Sequence, residues 1–174
     1  MIKNYLSFSP KIAKTAYVDE QALVAGRVHI GENSSIWPMA VLRGDVHEIF
    51  IGADTNIQDG TICHVTHDGI YNPGGIPLVV GNKVTVGHKV ILHACTIEDL
   101  VLVGMGAIVM DGAVLEKNTI IGAGSLVSPH KKLESGYLWL GSPVKKIRAL
   151  TDKELAFLEY SAAHYVRLKN NHQS

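Results

Sequence analysis

Residues 79–104 read VVGNKVTVGHKVILHACTIEDLVLVG, and this stretch shows the pattern that decides the fold. An aliphatic residue recurs at every sixth position, as Val80, Val86 and Leu92, and the series resumes after a one-residue slip at Ile97 and Val103. The same period extends in both directions along the chain. Its further members are Val18, Val24, Ile30, Ile36, Leu42, Ile51, Ile57, Cys63, Val109, Leu115, Ile121 and Val127.

A period of six residues does not match the spacing of an amphipathic helix. It is typical of short strands that are joined by corners and wound into a parallel β-helix, where equivalent aliphatic residues stack from coil to coil. A β-sandwich is the alternative, but it predicts a longer and less regular spacing. Glycine directly follows several of the aliphatic positions, and we interpret it as the residue of tight corners: Gly31, Gly52, Gly81, Gly87, Gly104 and Gly122.

Three segments interrupt the period. Val46–Phe50 is a minor irregularity, and Lys131–Pro143 is expected to leave the repeat altogether. The segment Asp68–Pro77, DGIYNPGGIP, is rich in turn-forming residues. It predicts an excursion loop that projects from the coil beside a group of histidines.

A C-terminal α-helix is predicted from Thr151 to about Asn170, because Thr151 and Glu154 form a capping box. An apolar stripe at helical spacing follows, and it should cover the flank of the coil or a neighbouring subunit. The stripe consists of Leu155, Leu158, Ala162, Tyr165 and Val166. The chain therefore divides into a β-helix domain over residues 1–150, with the excursion loop at 68–77, and a C-terminal helical segment over residues 151–174.

The overall composition gives no electrostatic reason to expect a nucleic acid or an anionic membrane as partner, because 16 basic residues balance 16 acidic ones. No uncharged run is long enough to cross a bilayer, and MIKNYLSFSPKIAK at the N-terminus lacks the apolar segment of a secretory signal. We therefore expect a soluble, cytoplasmic protein in which Cys63 and Cys95 are reduced. Its expected partner is a small molecule or another copy of itself.

Residues 56–93 hold four of the nine histidines, and three of these are candidate metal ligands. His64 and His93 each come one place after a core position, whereas His88 comes two places after Val86. Because side chains alternate between the faces of a strand, His88 and His93 should point in different directions. Two adjacent subunits could bring the three together, with His88 supplied by the neighbour. Three imidazoles leave a fourth position on Zn²⁺ for water, as in catalytic zinc sites.

Spacing alone leaves a second interpretation open, because a histidine on the face of a β-helix is more often a surface or packing residue than a ligand. We assign that role to His29, His47, His130, His164 and His172. Cys63 falls on the inward register and is interpreted as a small core residue. Cys95, close to His93, remains a competing candidate ligand.

The hexapeptide coil, the segment NIQDG at 56–60 followed by His64, and VGHKVILH at 86–93 together resemble the γ-class carbonic anhydrases. The likeness is greatest to their shorter bacterial YrdA/PaaY-type subgroup, and it covers nearly the whole chain. It implies a left-handed parallel β-helix with a C-terminal helix, assembled as a homotrimer with a Zn²⁺ or Fe²⁺ site at each subunit interface. The implied ligands are His64 and His93 together with His88 of the neighbouring subunit.

The resemblance also assigns roles to polar residues around the site. Arg43, Asp45 and Asp59 match interface ion-pair positions, where Arg43 and Asp59 would hold the subunits in register. A solvated surface pair is the alternative for them. Asn56 and Gln58 match polar residues near the metal-bound water, and Gln58 would orient the hydroxide or CO₂.

Two further positions concern catalysis. Tyr165 lies where the helix of the subgroup brings a tyrosine toward the site. The glutamates that serve proton transfer in the family are missing, because His67 stands three residues after the first ligand and DGIYNPGGIP contains no glutamate. His67 could shuttle protons, since histidine titrates near neutral pH, or it could be a bystander.

The leading hypothesis is therefore reversible hydration of CO₂ to bicarbonate by zinc-bound hydroxide, with activity weakened by the missing glutamates. Metal-assisted hydrolysis of an acyl-CoA thioester is a second hypothesis. CoA-dependent acyl transfer is a third, prompted by the shared coil and by GSPVKKIR at 141–148. A non-catalytic trimeric scaffold is the fourth.

Overall fold

The computed structural model describes residues 1–173, and within them it places a series of short strands followed by one helix, α1 (Asp152–His172). The strands are β1 (Ile2–Lys3), β2 (Lys11–Ile12), β3 (Tyr17–Val18), β4 (Leu23–Ile30), β5 (Ser35–Ile36), β6 (Val41–Ile51), β7 (Asn56–Ile57), β8 (Ile62–His64), β9 (Leu78–Val80), β10 (Thr85–Val86), β11 (Ile91–His93), β12 (Thr96–Ile97), β13 (Leu102–Val103), β14 (Ile108–Val109), β15 (Val114–Leu115), β16 (Ile120–Ile121), β17 (Leu126–Val127), β18 (Lys132–Leu133), β19 (Tyr137–Gly141) and β20 (Val144–Ala149).

The strands stack into three parallel ladders, which are the faces of the coil. The first ladder runs β6-β8-β11-β14-β17, and the second runs β6-β9-β12-β15-β18, so that the long strand β6 turns the corner between them. The third ladder runs β3-β5-β7-β10-β13-β16-β19, and β20 closes it as an antiparallel partner of β19. The predicted parallel β-helix with a single C-terminal helix among the described residues is confirmed.

The core of the coil is the column of aliphatic residues that the period of six marks. Except for half-buried Val18 at the start of the series, their side chains are buried, and register pairs equivalent residues in successive coils, as in Ile57 with Val86 and Val86 with Val103. Burial of each large aliphatic side chain stabilises the folded state by about 1.5–3 kcal/mol relative to leaving it exposed. The coil is therefore held together by apolar burial along its whole length.

The glycines after the aliphatic positions have a different role from the one predicted. A Cβ on Gly52 would lie 2.5 Å from the carbonyl group of Gly81 in the next coil, which leaves no room for a side chain. The left-handed backbone falls two residues later, at Asp54 (φ 55°) and Lys83 (φ 54°). These glycines therefore permit close approach of neighbouring coils, and the corners themselves use other residues.

Two insertions enlarge individual coils between the first and second ladders. Val46–Phe50 lies inside β6, where a register shift absorbs extra residues between the pairs Gly26 with Gly44 and Val28 with Ile49. The excursion loop begins after β8 and is closed by an antiparallel bridge between Thr66 and Ile76.

The prediction that Lys131–Pro143 leaves the repeat is wrong. Leu133 and Trp139 continue the six-residue spacing after Val127, and both are buried in the core. Strand β18 extends the second ladder and β19 extends the third. Polar residues at the intervening corner concealed the period, and the repeat ends only at the turn between β19 and β20.

Helix α1 begins at the predicted capping box, in which the Thr151 side chain accepts from the Glu154 amide and the Glu154 side chain accepts from the Thr151 amide. The helix packs on its own coil, over β5, β7 and β10 of the third ladder. Leu158 and Ala162 are buried there. Within residues 1–173, no helix combines the length and apolar character that a membrane crossing requires.

Candidate metal centre

The first ladder brings two of the three candidate ligands together. His64 ends β8 and His93 ends β11, and the two residues are register partners in adjacent coils. His64 Nδ1 lies 3.2 Å from His93 Nε2. The preceding residues Cys63 and Leu92 point into the core, so both imidazoles face outward on the same side of the coil.

A carboxylate holds the opposite nitrogen of each ring. His64 Nε2 lies 3.0 Å from Asp45 Oδ1, and His93 Nδ1 lies 2.7 Å from Asp111 Oδ1. An ionised carboxylate can only accept, so these two ring nitrogens must carry the hydrogens. In their neutral forms, the two rings therefore present lone pairs to each other across the 3.2 Å gap.

This donor set fits a divalent metal. Two facing lone pairs repel unless an electropositive group lies between them, and carboxylate-bound imidazoles are the usual ligand arrangement for zinc. Zinc–nitrogen bonds of about 2.0–2.1 Å in a tetrahedral site separate two ligand nitrogens by about 3.3 Å. The observed 3.2 Å needs little adjustment to reach that separation.

The electrostatics around His64 and the two carboxylates favour the protonation states that metal binding needs. Burial lowers the pKa of His64 and outweighs the hydrogen bond to Asp45, so the ring is neutral at pH 7. Burial would raise the pKa of Asp45, but hydrogen bonds from His64 and Arg43 outweigh it and leave the pKa low. Burial would also raise the pKa of Asp111, but hydrogen bonds from Thr66 and His93 outweigh it and lower that pKa.

The third candidate ligand lies at the corner between the third and first ladders. His88 follows β10 in the third ladder, and its Nδ1 lies 2.9 Å from Asp59 Oδ2. The same logic places the hydrogen on Nδ1 and leaves Nε2 as the free acceptor. Within residues 1–173 no three His, Cys, Asp or Glu side chains group closely enough to hold a metal ion. One chain thus offers a pair of imidazoles and a single imidazole at separate places.

The predicted polar residues lie on the same side as His88 and are joined by hydrogen bonds. Gln58 Nε2 donates to Asn56 Oδ1 at 3.0 Å, and Asn56 Nδ2 donates to Thr85 Oγ1 at 3.2 Å. Thr85 Oγ1 in turn lies 2.9 Å from Ser161 Oγ on α1. Gln58 and Asn56 are buried, so this chain of contacts fixes their orientation between the coil and the helix.

Tyr165 reaches the same region from α1. It lines a pocket together with Gln58 and Thr85, and its ring packs edge-on against Trp37 with centroids 5.8 Å apart. Burial raises the pKa of Tyr165, and the negative charge of Asp59 adds to that effect. Tyr165, Gln58 and Asp59 thus belong to one cluster on the His88 side.

The charged residues assigned to the interface pair differently within the chain. Arg43 Nη1 donates to Asp45 Oδ2, and Arg43 is not a partner of Asp59 in the single chain. Asp45 therefore links Arg43 to His64, and Asp59 contacts His88. Their carboxylates serve as orienting groups for two of the candidate ligands.

The remaining sequence candidates lie outside these groups. His67 is exposed at the start of the excursion loop, and its ring nitrogens contact none of the three orienting carboxylates. Both cysteines are unpaired and belong to the apolar core. Burial raises the pKa of Cys63 to about 12 and also raises that of Cys95, so neither offers a thiolate.

Comparison with known proteins finds relatives of similar length and also longer ones. No protein-family model matches the chain. It is 54% identical to Protein YrdA of Escherichia coli, with 99% of this chain and 94% of that protein covered. It is 40% identical to a carbonic anhydrase of Geobacillus kaustophilus over 95% of this chain and 87% of that protein. It is 44% identical to the mitochondrial gamma carbonic anhydrase 2 of Arabidopsis thaliana over 99% of this chain and 62% of that longer protein.

The chain belongs to the γ-class carbonic anhydrase-like family. A solved structure with the same fold is a hexapeptide transferase family protein from Anaplasma phagocytophilum, with a TM-score of 0.89 and 42% identity. That match covers 98% of this chain and 97% of the other. Relatives of comparable identity are thus named either as carbonic anhydrases or as a hexapeptide transferase, and family membership alone does not identify the reaction.

Sequence reasoning missed Asp111 and Thr66. Asp111 stands 18 positions after His93, whereas the register partners Leu92 and Val109 are 17 apart. Asp45 precedes His64 by 19 positions, whereas the register partners Leu42 and Cys63 are 21 apart. Coil length therefore varies, and no fixed interval in the sequence could have matched these carboxylates to the histidines.

Proposed function

We propose that this chain is a metal-dependent γ-class carbonic anhydrase that hydrates CO₂ reversibly at a site shared between subunits of a homotrimer. The observation that carries the proposal is the pair of imidazole lone pairs facing each other across 3.2 Å, each ring held from behind by an aspartate. The γ-class carbonic anhydrase relatives support the choice of reaction.

A second copy of the chain is the natural source of the third imidazole, because His88 lies in the turn between β10 and β11 and does not group with His64 and His93 among the described residues. The surface beside the histidine pair also needs cover. Ile62, Ile91 and Ile108 are register partners on the first ladder, yet they are exposed by 45%, 38% and 37%. An aligned apolar stripe of this kind marks an interaction surface.

The geometry of this contact favours a closed ring. One subunit would contribute the surface with His64 and His93, and its neighbour would contribute the corner with His88, which makes the interface heterologous. Heterologous interfaces close into rings when the rotation permits. The family likeness supports a ring of three.

The proposed ligands are His64 and His93 with His88 of the neighbouring subunit, and Zn²⁺ or Fe²⁺ suits three imidazoles. Such a metal lowers the pKa of water that it binds, to about 7 in the most favourable cases. Asp45, Asp59 and Asp111 keep the three rings in the tautomers that leave the inner nitrogens free.

The polar cluster on the His88 side would handle the substrate. Gln58 uses one of its amide hydrogens on Asn56, so its other hydrogen and its carbonyl oxygen are available to orient CO₂ or bicarbonate. Tyr165 would complete the pocket wall. Each hydration of CO₂ releases a proton. Exposed His67 is the residue proposed to accept this proton through water, because the excursion loop carries no glutamate.

Three alternatives to CO₂ hydration differ in whether they need the metal. Hydrolysis of an acyl-CoA thioester would use the same metal, whereas acyl transfer by a histidine base would need none. A scaffold would bind metal and show neither activity. The neutral net charge supports a small molecule, and not a nucleic acid, as partner. The two unpaired cysteines agree with a cytoplasmic location.

Subunit complementation gives the sharpest experiment. His64→Ala and His88→Ala variants, each prepared without oxygen, should lose metal and CO₂ hydration, measured by elemental analysis and stopped-flow pH change. Co-expression of both variants at equal levels should restore about one quarter of the sites if trimers assemble at random, because every mixed trimer contains one intact site. No recovery in isolated mixed trimers would contradict a shared site. Metal recovery without hydration would favour thioester hydrolysis or a scaffold.

A further inference from the structure

Asp111 makes two side-chain contacts that belong to different parts of the fold. Its Oδ1 accepts from His93 Nδ1 at 2.7 Å, and its Oδ2 accepts from the hydroxyl of Thr66. One oxygen therefore serves the proposed metal ligand, and the other is fixed by Thr66, whose bridge to Ile76 closes the excursion loop. The carboxylate cannot rotate without losing at least one of these hydrogen bonds.

Thr66 is itself held by the neck of the loop. Its amide donates to the carbonyl of Ile76 at 3.0 Å, and the Ile76 amide donates back to the Thr66 carbonyl at 2.9 Å. A Cβ on Gly75 would lie 2.7 Å from the Thr66 carbonyl oxygen, so the two sides of the neck pack tightly. Thr66 is only 8% exposed, and its hydroxyl points to Asp111.

We propose that Asp111 is a positioning residue for His93, and that Thr66 makes this positioning depend on the closed neck of the excursion loop. The inference rests on the proposed metal site and adds the group that sets the tautomer and ring orientation of one ligand. A purely structural role does not account for the contact, because the Asp111 side chain is 31% exposed and takes no part in the apolar core.

The expected size of the effect follows from comparable metal sites. Groups that orient metal-bound histidines change metal affinity by about 10–100-fold when they are removed. Asp111→Ala removes the acceptor and lets His93 adopt either tautomer. Asp111→Asn keeps an oxygen that can accept from His93 Nδ1, while its amide group can face the Thr66 oxygen. Thr66→Val keeps the shape of residue 66 but removes the hydroxyl.

The experiment measures two quantities on the wild type and these three variants. The first is Zn²⁺ affinity by competition with a chromophoric chelator. The second is the tautomer of His93 in the metal-free protein, from ¹⁵N–¹H correlation spectra of histidine-labelled samples. Asp99→Ala is the matched control, because the Asp99 carboxylate also accepts a hydrogen bond from the neighbouring coil, from the Asn82 amide at 2.7 Å, but touches no candidate ligand.

The proposal predicts a 10–100-fold loss of Zn²⁺ affinity and a mixed His93 tautomer in Asp111→Ala, a smaller loss in Thr66→Val, and near-normal behaviour in Asp111→Asn and Asp99→Ala. Wild-type affinity together with a pure Nδ1–H tautomer in Asp111→Ala would overturn it. A wild-type protein that binds no Zn²⁺ would instead overturn the proposed function, and the tautomer spectra would still decide whether Asp111 orients His93.

Discussion

His64 and His93 lie one above the other in adjacent coils, with His64 Nδ1 3.2 Å from His93 Nε2. The register of the first ladder fixes this distance, because the strand residues before them are locked in the core. The pair is thus preorganised by the scaffold, and a metal that binds there should stabilise the folded protein more than the unfolded chain.

Zinc should therefore raise the thermal stability of the wild type. At a free concentration 100 times the dissociation constant, the gain is about 2.7 kcal/mol per site. In a chain of this size, each kcal/mol corresponds to about 2–4 °C in Tm. His93→Ala should abolish the zinc-dependent shift and leave the metal-free Tm nearly unchanged, since the His93 side chain is 37% exposed. Calorimetry with and without chelator tests this, and an undiminished shift in the variant would place the metal elsewhere.

The aliphatic column should carry most of the folding stability. Ile121 is fully buried between Val103 and Trp139 in the third ladder, away from the candidate metal centre. Ile121→Ala should lower the free energy of unfolding by about 2–5 kcal/mol, because it removes apolar contacts and leaves a cavity. Urea denaturation measures this loss. Ile147→Ala is the control, since Ile147 is 51% exposed on β20 and should change stability little. Equal effects in the two variants would contradict a stability based on the column.

The close approach of coils at Gly52 gives a second stability prediction. A Cβ there meets the Gly81 backbone at 2.5 Å, and backbone cannot move aside as a flexible side chain can. Gly52→Ala should destabilise the protein by about 3 kcal/mol or more.

Gly124 provides the comparison, because it has a φ of 66° and no neighbouring atom within 4 Å of an added Cβ. Gly124→Asn should cost about 1 kcal/mol or less, since asparagine adopts the left-handed region readily. Asn33 and Asn118 already occupy corners with positive φ. If Gly52→Ala were the milder substitution in urea denaturation, steric contact between coils would not be the reason for the glycine.

The regular parts of this fold were predictable because they follow from local spacing. The period of six identified the inward residues, and Thr151 with Glu154 marked the start of α1. The end of the repeat was misplaced because Leu133 and Trp139 are separated by corner residues that resemble a loop. The role of the glycines was also misjudged, since a contact between coils leaves no trace within either coil.

The candidate site was predictable in part for the same reason. The family motifs contain His64, His88 and His93, so the resemblance could assign them. Asp111 lies in no such motif, and its contact with His93 depends on how many residues each coil contains. The insertions in β6 and at the excursion loop change that number from coil to coil. Register between coils therefore had to be seen before carboxylates could be matched to histidines.

Gln58 should affect CO₂ hydration without affecting metal content. It lies on the His88 side and is 4% exposed, with its amide oriented by Asn56. Gln58→Ala should reduce kcat/KM about 10²-fold, the usual effect of removing one preorganised donor. Asn56→Ala should give a smaller reduction, because it frees Gln58 to rotate. Stopped-flow assays on metal-loaded protein test both. Full activity in Gln58→Ala would exclude it from the reaction, whereas loss of metal would show a structural role.

The helix start should show a defined acid dependence. Both oxygens of Glu154 accept from the Arg148 guanidinium, at 2.7 and 2.8 Å, and Oε2 also accepts from the Thr151 amide at 2.9 Å. The hydrogen bonds from Arg148, followed by that from Thr151, lower the pKa of Glu154 to about 2. A carboxylate with a lowered pKa stabilises the folded state above its ordinary titration range, and this contribution is lost as the pH falls toward the lowered value.

The first-turn amides of α1 should therefore exchange with solvent more slowly in the wild type than in Glu154→Gln at pH 6, and the difference should disappear as the pH falls from about 4.5 to about 2. Hydrogen exchange followed by NMR measures it residue by residue. Glu159→Gln is the control, because Glu159 lies inside the helix, pairs with Lys83 of the coil and does not cap the helix start. A difference that persists unchanged at pH 2 would show that the charge of Glu154 does not hold the first turn, because protonation should by then have removed most of the contribution of that charge.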